Sequence, residues 1–280
     1  MTTAIIILVL LVAIIVLAAV FARICNHLFY SSFLRRSEQI RNESESFGKA
    51  PAGENDTEFL PPPVARYLYL SGLRGKSPMS YAHLRHSGFL RISKERSFTR
   101  VKGEYFLTAR PPSFCWFGKA KFLGIPVFAF DSYFKGNGRM VVKLLSFFKL
   151  VDSRSKETGI SALGRCIAEL SMAPSFFLDK ERITWTAFDS EKAFCKITDS
   201  GITINAELYF HSEGMLDRIV IQRYFDRGNG KFTLEKFTGQ ASVYKDFGGF
   251  QIPTVLDGYW NLEEGDLHYV HFKIEEAEFE

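Results

Sequence analysis

The sequence lacks the short signatures of the common enzyme classes. There is no GxSxG, which excludes the usual nucleophile elbow of serine hydrolases, and no HExxH or CxxC, which excludes the commonest zinc spacings. Cysteine is scarce. Cys25, Cys115, Cys166 and Cys195 show no paired spacing, which fits a reducing compartment better than a disulfide framework. Cys115, between Phe114 and Trp116, reads as buried packing, and Cys166 falls in a helical run. Histidine is scarce too, with six copies, and His83/His86 and His268/His271 stand three apart in strand contexts. That spacing is expected to put each pair on opposite faces, so neither a metal site nor a cofactor is expected. Gly136-Asn137-Gly138 lacks the Lys-Ser/Thr of a phosphate loop and reads as a hairpin turn. A net charge of +4 over 280 residues, without a concentrated basic stripe, argues against a nucleic-acid partner.

Charge is also missing from Ala4 to Ala22, AIIILVLLVAIIVLAAVFA, and so is proline. Nineteen helical residues at about 1.5 Å each reach roughly 28 Å, close to the hydrocarbon thickness of a bilayer. Residues 4–22 are therefore expected to engage a membrane as a single-pass segment. The apolar run is longer than a signal-peptide core and no Lys or Arg precedes it, which favours an anchor over a cleaved signal. Arg23, Arg35, Arg36 and Arg41 follow, against Glu38, and on charge alone they put the large domain in the cytoplasm.

No large apolar residue lies between Lys49 and Glu58. The expected organisation is an anchor over 1–22, a juxtamembrane segment and flexible linker over 23–59, and a β-rich domain over 60–280. The domain opens on LPPPVARYLYLSG. Pro63 suits the first turn of a helix, and Val64, Tyr67, Leu68 and Ser71 then make one stripe with Leu60 that must dock on something apolar. Gly72 suits a left-handed stop.

From His83 the pattern alternates with period two. In Gly201–Phe210, Ile202, Ile204, Ala206, Leu208 and Phe210 share one face. Similar runs recur to Phe279, separated by turn signals such as GNG at 136–138 and RGNG at 227–230. The fold expected is mainly β (α+β): a large curved antiparallel sheet or half-barrel of about a dozen strands. One helical run interrupts it, with Ile160, Leu163, Ile167 and Leu170 at helical spacing until Pro174 breaks it. This kinked central helix is expected to fill the concave side.

Three charges sit inside apolar runs: Asp131 in FAFDSYF, Glu169 in CIAELSM and Arg223 in IVIQRYF. Each is either on a wet face or buried with a partner. If they meet inside, they make a polar spot that suits a ligand's head group. The candidate ligand contacts are Asp131, Tyr133, Glu169, Arg223, Tyr224, Trp116 and Trp185, with the 28 phenylalanines lining a pocket or simply packing a core. No catalytic residue is assigned. A hydrolase pairing Asp131 with Glu169, or a protein-docking module at the membrane, are the alternatives. Arg91, Lys94, Arg96, Arg100 and Lys102 read as a solvated hairpin or as a contact for anionic lipid.

The segments LPPPVARYLYLSG, ARPPSFCW (109–116), DSYFKGNGRM (131–140), GRCIAEL (164–170), QRYF (222–225) and YKDFGGFQIPT (244–254), with Trp185 and Trp260, resemble the bacterial domain-of-unknown-function family 6544. The family's pattern has an acidic residue after the glycine of the helical motif, where this chain has Arg165. The resemblance implies a distant likeness to lipoprotein-localisation (Lol-type) carriers. Those are open half-barrels with helices in the concavity and an apolar pocket for acyl chains. It therefore implies a membrane-anchored, non-enzymatic domain that binds a lipid or lipoprotein. It also implies an extracytoplasmic setting, against the arginines, and the resemblance is given slightly more weight.

Overall fold

Alternating apolar and polar side chains become strands wherever one face is buried, and here that happens thirteen times in succession. A computed structural model describes residues 2–48, 50–53 and 56–280; positions 49, 54 and 55 of the expected linker lie outside it. The first strands are β1 (Tyr81–Leu90), β2 (Thr99–Thr108), β3 (Ser113–Phe122), β4 (Ile125–Phe134), β5 (Asn137–Leu144) and β6 (Phe148–Ser153). A helical insertion follows. Then come β7 (Ile183–Ala187), β8 (Lys192–Asp199), β9 (Ile202–Phe210), β10 (Leu216–Gly228), β11 (Lys231–Phe247), β12 (Phe250–Leu262) and β13 (Gly265–Phe279). They form one antiparallel sheet of 13 strands in the order β6-β5-β4-β3-β2-β1-β13-β12-β11-β10-β9-β8-β7. Each neighbour but one is also the next in sequence. The exception, β1 with β13, joins the two halves. The sheet curls into a half-barrel, as expected.

Tight turns set the register. Lys135 and Gly136 have φ of 46° and 80°, and Asn229 and Gly230 have 53° and 73°, the left-handed pair that a type I′ hairpin needs. Four residues of the alternating run in β9, Ile204, Ala206, Leu208 and Phe210, are buried on one face.

The helices divide between the two faces. α3 (Lys156–Ala168) lies on the inner face, continued by 3-10 turns at Leu170–Met172 and Pro174–Leu178. Ser155 caps α3 by accepting the Thr158 N–H at 3.2 Å. The 3-10 path breaks at Ala173, whose φ and ψ of −139° and 70° leave the helical region before Pro174. Glycines let α3 approach the sheet closely. A Cβ on Gly138 would fall 2.6 Å from the Thr158 carbonyl, and one on Gly239 would fall 3.1 Å from that of Ala168. α2 (Pro62–Leu70) closes the far end, with Pro63, Val64, Tyr67 and Leu68 buried. Tyr67 donates to the Ser171 carbonyl at 3.2 Å and packs edge-on against Phe177.

α1 (Thr2–Asn42) is one helix of 41 residues, and its apolar part is long and apolar enough to cross a membrane. The helix does not end where that part ends. Phe29, Phe33, Ser37 and Ile40, at i, i+4, i+8 and i+11, are buried against Tyr81, Phe106, Cys115, Phe117, Phe130 and Val141 on the outer face of β1–β5. Each large apolar side chain buried there contributes at most roughly 1.5–3 kcal/mol. With α3 inside and α1 outside, β3 is covered on both faces, which is why Ser113–Gly118 is buried without alternation.

Bulges interrupt the alternation at several places, and one of them resets the faces of β13. Gly258 pairs with Val270, but Tyr259 pairs with His268, so Tyr269 is an extra residue bulged out of β13. The bulge corrects the face assignment of the second histidine pair: His268 and His271 both lie on the outer face, beside Asp257. His83 and His86 remain on opposite faces, one against Phe106 and the other in the inner core.

Candidate functional site

The inner face of a curled sheet is apolar by construction, so charges there must be paired or cost several kcal/mol. Four are present where α3 crosses the sheet. Arg165, on the last turn of α3, donates through Nη1 to Asp131 Oδ2 of β4 at 2.7 Å and through Nε to Glu169 Oε1 at 3.2 Å. The guanidinium sits on aromatic rings, 5.0 Å from Trp116, 5.1 Å from Phe114 and 5.5 Å from Tyr105. The side chains of Arg165, Asp131 and Glu169 are 14%, 14% and 20% exposed, so this edge of the cluster is open to solvent.

Arg223 of β10 lies deeper, 8% exposed, beneath Gly164 of α3, where a Cβ would come within 3.0 Å of its Cγ. Its Nε donates to the Ser161 carbonyl at 3.1 Å, and its guanidinium stacks 4.6 Å from Phe237 and 5.0 Å from Trp260. Among the described residues no carboxylate forms an ion pair with it. Burial, then the charge of Arg165, pulls its pKa down to about 10. Burial raises the Asp131 carboxyl pKa, against the pull of Arg165. For Arg165 burial opposes the charge, and Glu169 and Asp131 outweigh it, so its pKa is raised. The bulged Tyr269 joins the cluster, its phenol pKa raised by burial. Tyr105 Oη and Glu169 Oε2 are buried and make no hydrogen bond among the described residues.

The structure brings four of the seven sequence candidates together, Asp131, Trp116, Glu169 and Arg223, around a residue that was not among them, Arg165. The signal for Arg165 was available: it stands four residues before Glu169 on one helix face. Tyr105, Tyr269 and Trp260 were also missed, and only the bulge explains Tyr269. The other three candidates lie elsewhere. Tyr133 is fully buried and donates to Asp199 Oδ2 at 2.5 Å, tying β4 to the β8–β9 turn. Trp185 packs on Phe177. Tyr224 lines a polar cleft of about 660 Å³ with Asp152, Arg154, Glu157 and Asp226, between the β6 edge and the β10–β11 hairpin.

Beside this cleft the inner face is only half covered. Met140 and Val142 of β5, Ala129 of β4 and Phe225 of β10 are partly exposed. The strand registers put the turns β1–β2, β3–β4, β5–β6 and β12–β13 at one end of the sheet. The β10–β11 hairpin joins them through the Arg227–Glu264 ion pair. At this same end the apolar half of α1 leaves the domain: Phe21 packs on Phe147, and Ser146 Oγ donates to Asn26 Oδ1 at 3.1 Å.

No curated protein sequence matches the chain. Among solved structures it resembles a LolA superfamily protein from Nitrosomonas europaea, with 11% identity and a TM-score of 0.40 over 72% of this chain and 87% of that one. It also resembles a DUF1329 family protein from Desulfovibrio piger, with 9% identity and a TM-score of 0.41 over 79% and 94%. A family model described as a family of unknown function, DUF6544, matches residues 50–272, and the chain belongs to that family.

Proposed function

We propose that this is a membrane-attached, non-catalytic binding domain that holds an amphiphile at the open end of its inner face. One observation carries the reading: the half-covered end of the concavity lies at the end of the sheet from which the apolar half of α1 departs. A lipid leaving the bilayer there meets partly exposed apolar surface first, then the cleft, then the charge cluster. The cleft's volume of about 660 Å³ falls within the roughly 300–1,000 Å³ of ordinary ligand sites. Arg223 suits an anionic head group, because it has no carboxylate partner among the described residues and is already stacked on two rings. The apolar chain would lie along Met140, Val142 and Phe225, with α3 shifting to admit it.

The same end of the sheet is built to sit on a membrane. Leu123 at the β3–β4 turn is 86% exposed, and Phe122, Phe148 and Leu150 around it are more than half exposed. Lys119, Lys121, Lys143 and Lys149 flank them. A pair of catalytic carboxylates is less well supported, since one guanidinium bridges both Asp131 and Glu169.

The test is native mass spectrometry of the full chain purified in mild detergent, with lipid extraction from the same sample. One amphiphile per chain is expected, with retention falling at least tenfold in Arg223→Met. A folded wild-type chain that retains none after incubation with mixed anionic and zwitterionic vesicles would overturn the reading.

A further inference from the structure

We propose that Asp257, His268 and His271 form a binding site for a divalent transition-metal ion on the outer face of the sheet, away from the inner cluster. Their ligand atoms, Asp257 Oδ1, His268 Nε2 and His271 Nδ1, all lie within 4.8 Å of one another. Both imidazoles point at the same carboxylate oxygen, at 2.7 Å and 2.9 Å. Two imidazoles and a carboxylate are the donor set of open zinc sites and of related first-row metal sites.

The backbone builds this arrangement. Asp257 and His271 are direct cross-strand partners on β12 and β13. Without the bulge His268 would face inward; Tyr269, taking the inward place, turns His268 out beside His271. The rings are held in place. Tyr259 stacks on His268 with centroids 4.4 Å apart, and Phe98 meets its edge at 5.2 Å. Phe89 lies against His271 at 6.4 Å. Arg91 and Arg100 are stacked over Phe98 and Phe89, and the ion pairs of Asp257 among the described residues are with His268 and His271. The three side chains are 18–40% exposed, so an ion held by them keeps its remaining positions open to water.

A bare hydrogen-bonded trio would have the same shape without affinity for an ion, and titration separates the two. The full chain in detergent micelles, carrying Cys25→Ser to remove the half-exposed thiol, is titrated with Zn²⁺ by calorimetry and with Co²⁺ by visible absorption. One saturable ion per chain is expected, with a Zn²⁺-dependent rise in Tm. His271→Ala, Asp257→Asn and His268→Gln should each weaken binding by more than the roughly 10–100-fold that loss of an outer partner costs. His211→Ala, exposed at the far end, should leave it unchanged. Circular dichroism and metal-free melting confirm that each variant is folded, and the three ligand variants give independent readings. No saturable binding to the wild-type chain, or equal affinity in two folded ligand variants, overturns the proposal.

Discussion

Arg165 on α3 donates to Asp131 on β4 at 2.7 Å, and the same guanidinium reaches Glu169 one turn along its own helix. One cation therefore ties the inner helix to the sheet and is shared between two carboxylates. Arg165→Met leaves both acids close together with no cation between them. Breaking a buried pair from one side costs about 3–5 kcal/mol. The expected result is a loss of that size in urea unfolding, most of it recovered when Asp131→Asn and Glu169→Gln are added. A loss under about 1 kcal/mol in Arg165→Met would mean that solvent, not packing, governs the cluster.

The prominence of Arg165 shows where sequence reading stops. Alternation with turn signals made the strands legible, because one buried face imposes period two, as in Ile202–Phe210. The stripe of α2 was legible for the same reason at helical period. Docking of α1 was not, although Phe29, Phe33 and Ile40 carried its spacing, because the apolar segment before them dominates any reading of that helix. The outer histidine site was hidden by one extra residue, Tyr269, since a bulge reverses every later side chain without leaving a compositional mark. Asp131, Glu169 and Arg223 stood out as charges in apolar runs, yet only the fold shows that Arg165 joins the first two and that Arg223 stands apart.

His86 is 4% exposed, and its Nε2 accepts the Trp116 indole N–H at 2.7 Å, which places its own proton on Nδ1. Burial, helped by the charge of Arg165, holds its pKa down to about 3. The unfolded chain takes up this proton near pH 6.5 and the folded chain does not. The contribution is therefore fully present above pH 6.5 and is lost as pH falls from 6.5 towards 3. The slope from this group should grow as pH falls below 6.5 and approach about 1.4 kcal/mol per pH unit near pH 5, and His86→Leu should lack it. Imidazole nitrogen shifts that stay in the neutral Nδ1–H form down to pH 5 are the direct check. Titration near pH 6.5 would contradict it.

Gly138 marks a close approach of α3 to the sheet. A Cβ there would sit 2.6 Å from the Thr158 carbonyl and 2.9 Å from Ala162 Cβ, both on the helix. Gly138→Val should lift the start of α3 at a cost of about 1–3 kcal/mol, the usual penalty of overpacking. Hydrogen exchange should rise across 156–168 and stay unchanged in 29–40, where α1 packs on the opposite face. If α3 is the element that moves to admit a ligand, this variant should also take up amphiphile faster than the wild-type chain. Unchanged exchange in 156–168 would show that the sheet edge gives way instead.

The exposed turn at Leu123 makes the most direct prediction about the membrane. Leu123 is 86% exposed beside Phe122, and the neighbouring β5–β6 turn touches α1 at Phe21. If α1 crosses the bilayer, these tips reach its interfacial layer, where burying one leucine is worth roughly 1.5–3 kcal/mol. Tyr69, 57% exposed on α2, lies at the opposite end of the sheet. An environment-sensitive dye on Leu123→Cys, in a Cys25→Ser chain reconstituted into liposomes, should shift to the blue and resist aqueous quencher. The same dye on Tyr69→Cys should read as water. The flanking lysines predict that the shift at 123 grows when anionic lipid is added, whereas a purely apolar contact would be indifferent to lipid charge. Identical aqueous readings at both positions would detach the open end of the half-barrel from the bilayer, and with it the route by which a lipid would enter.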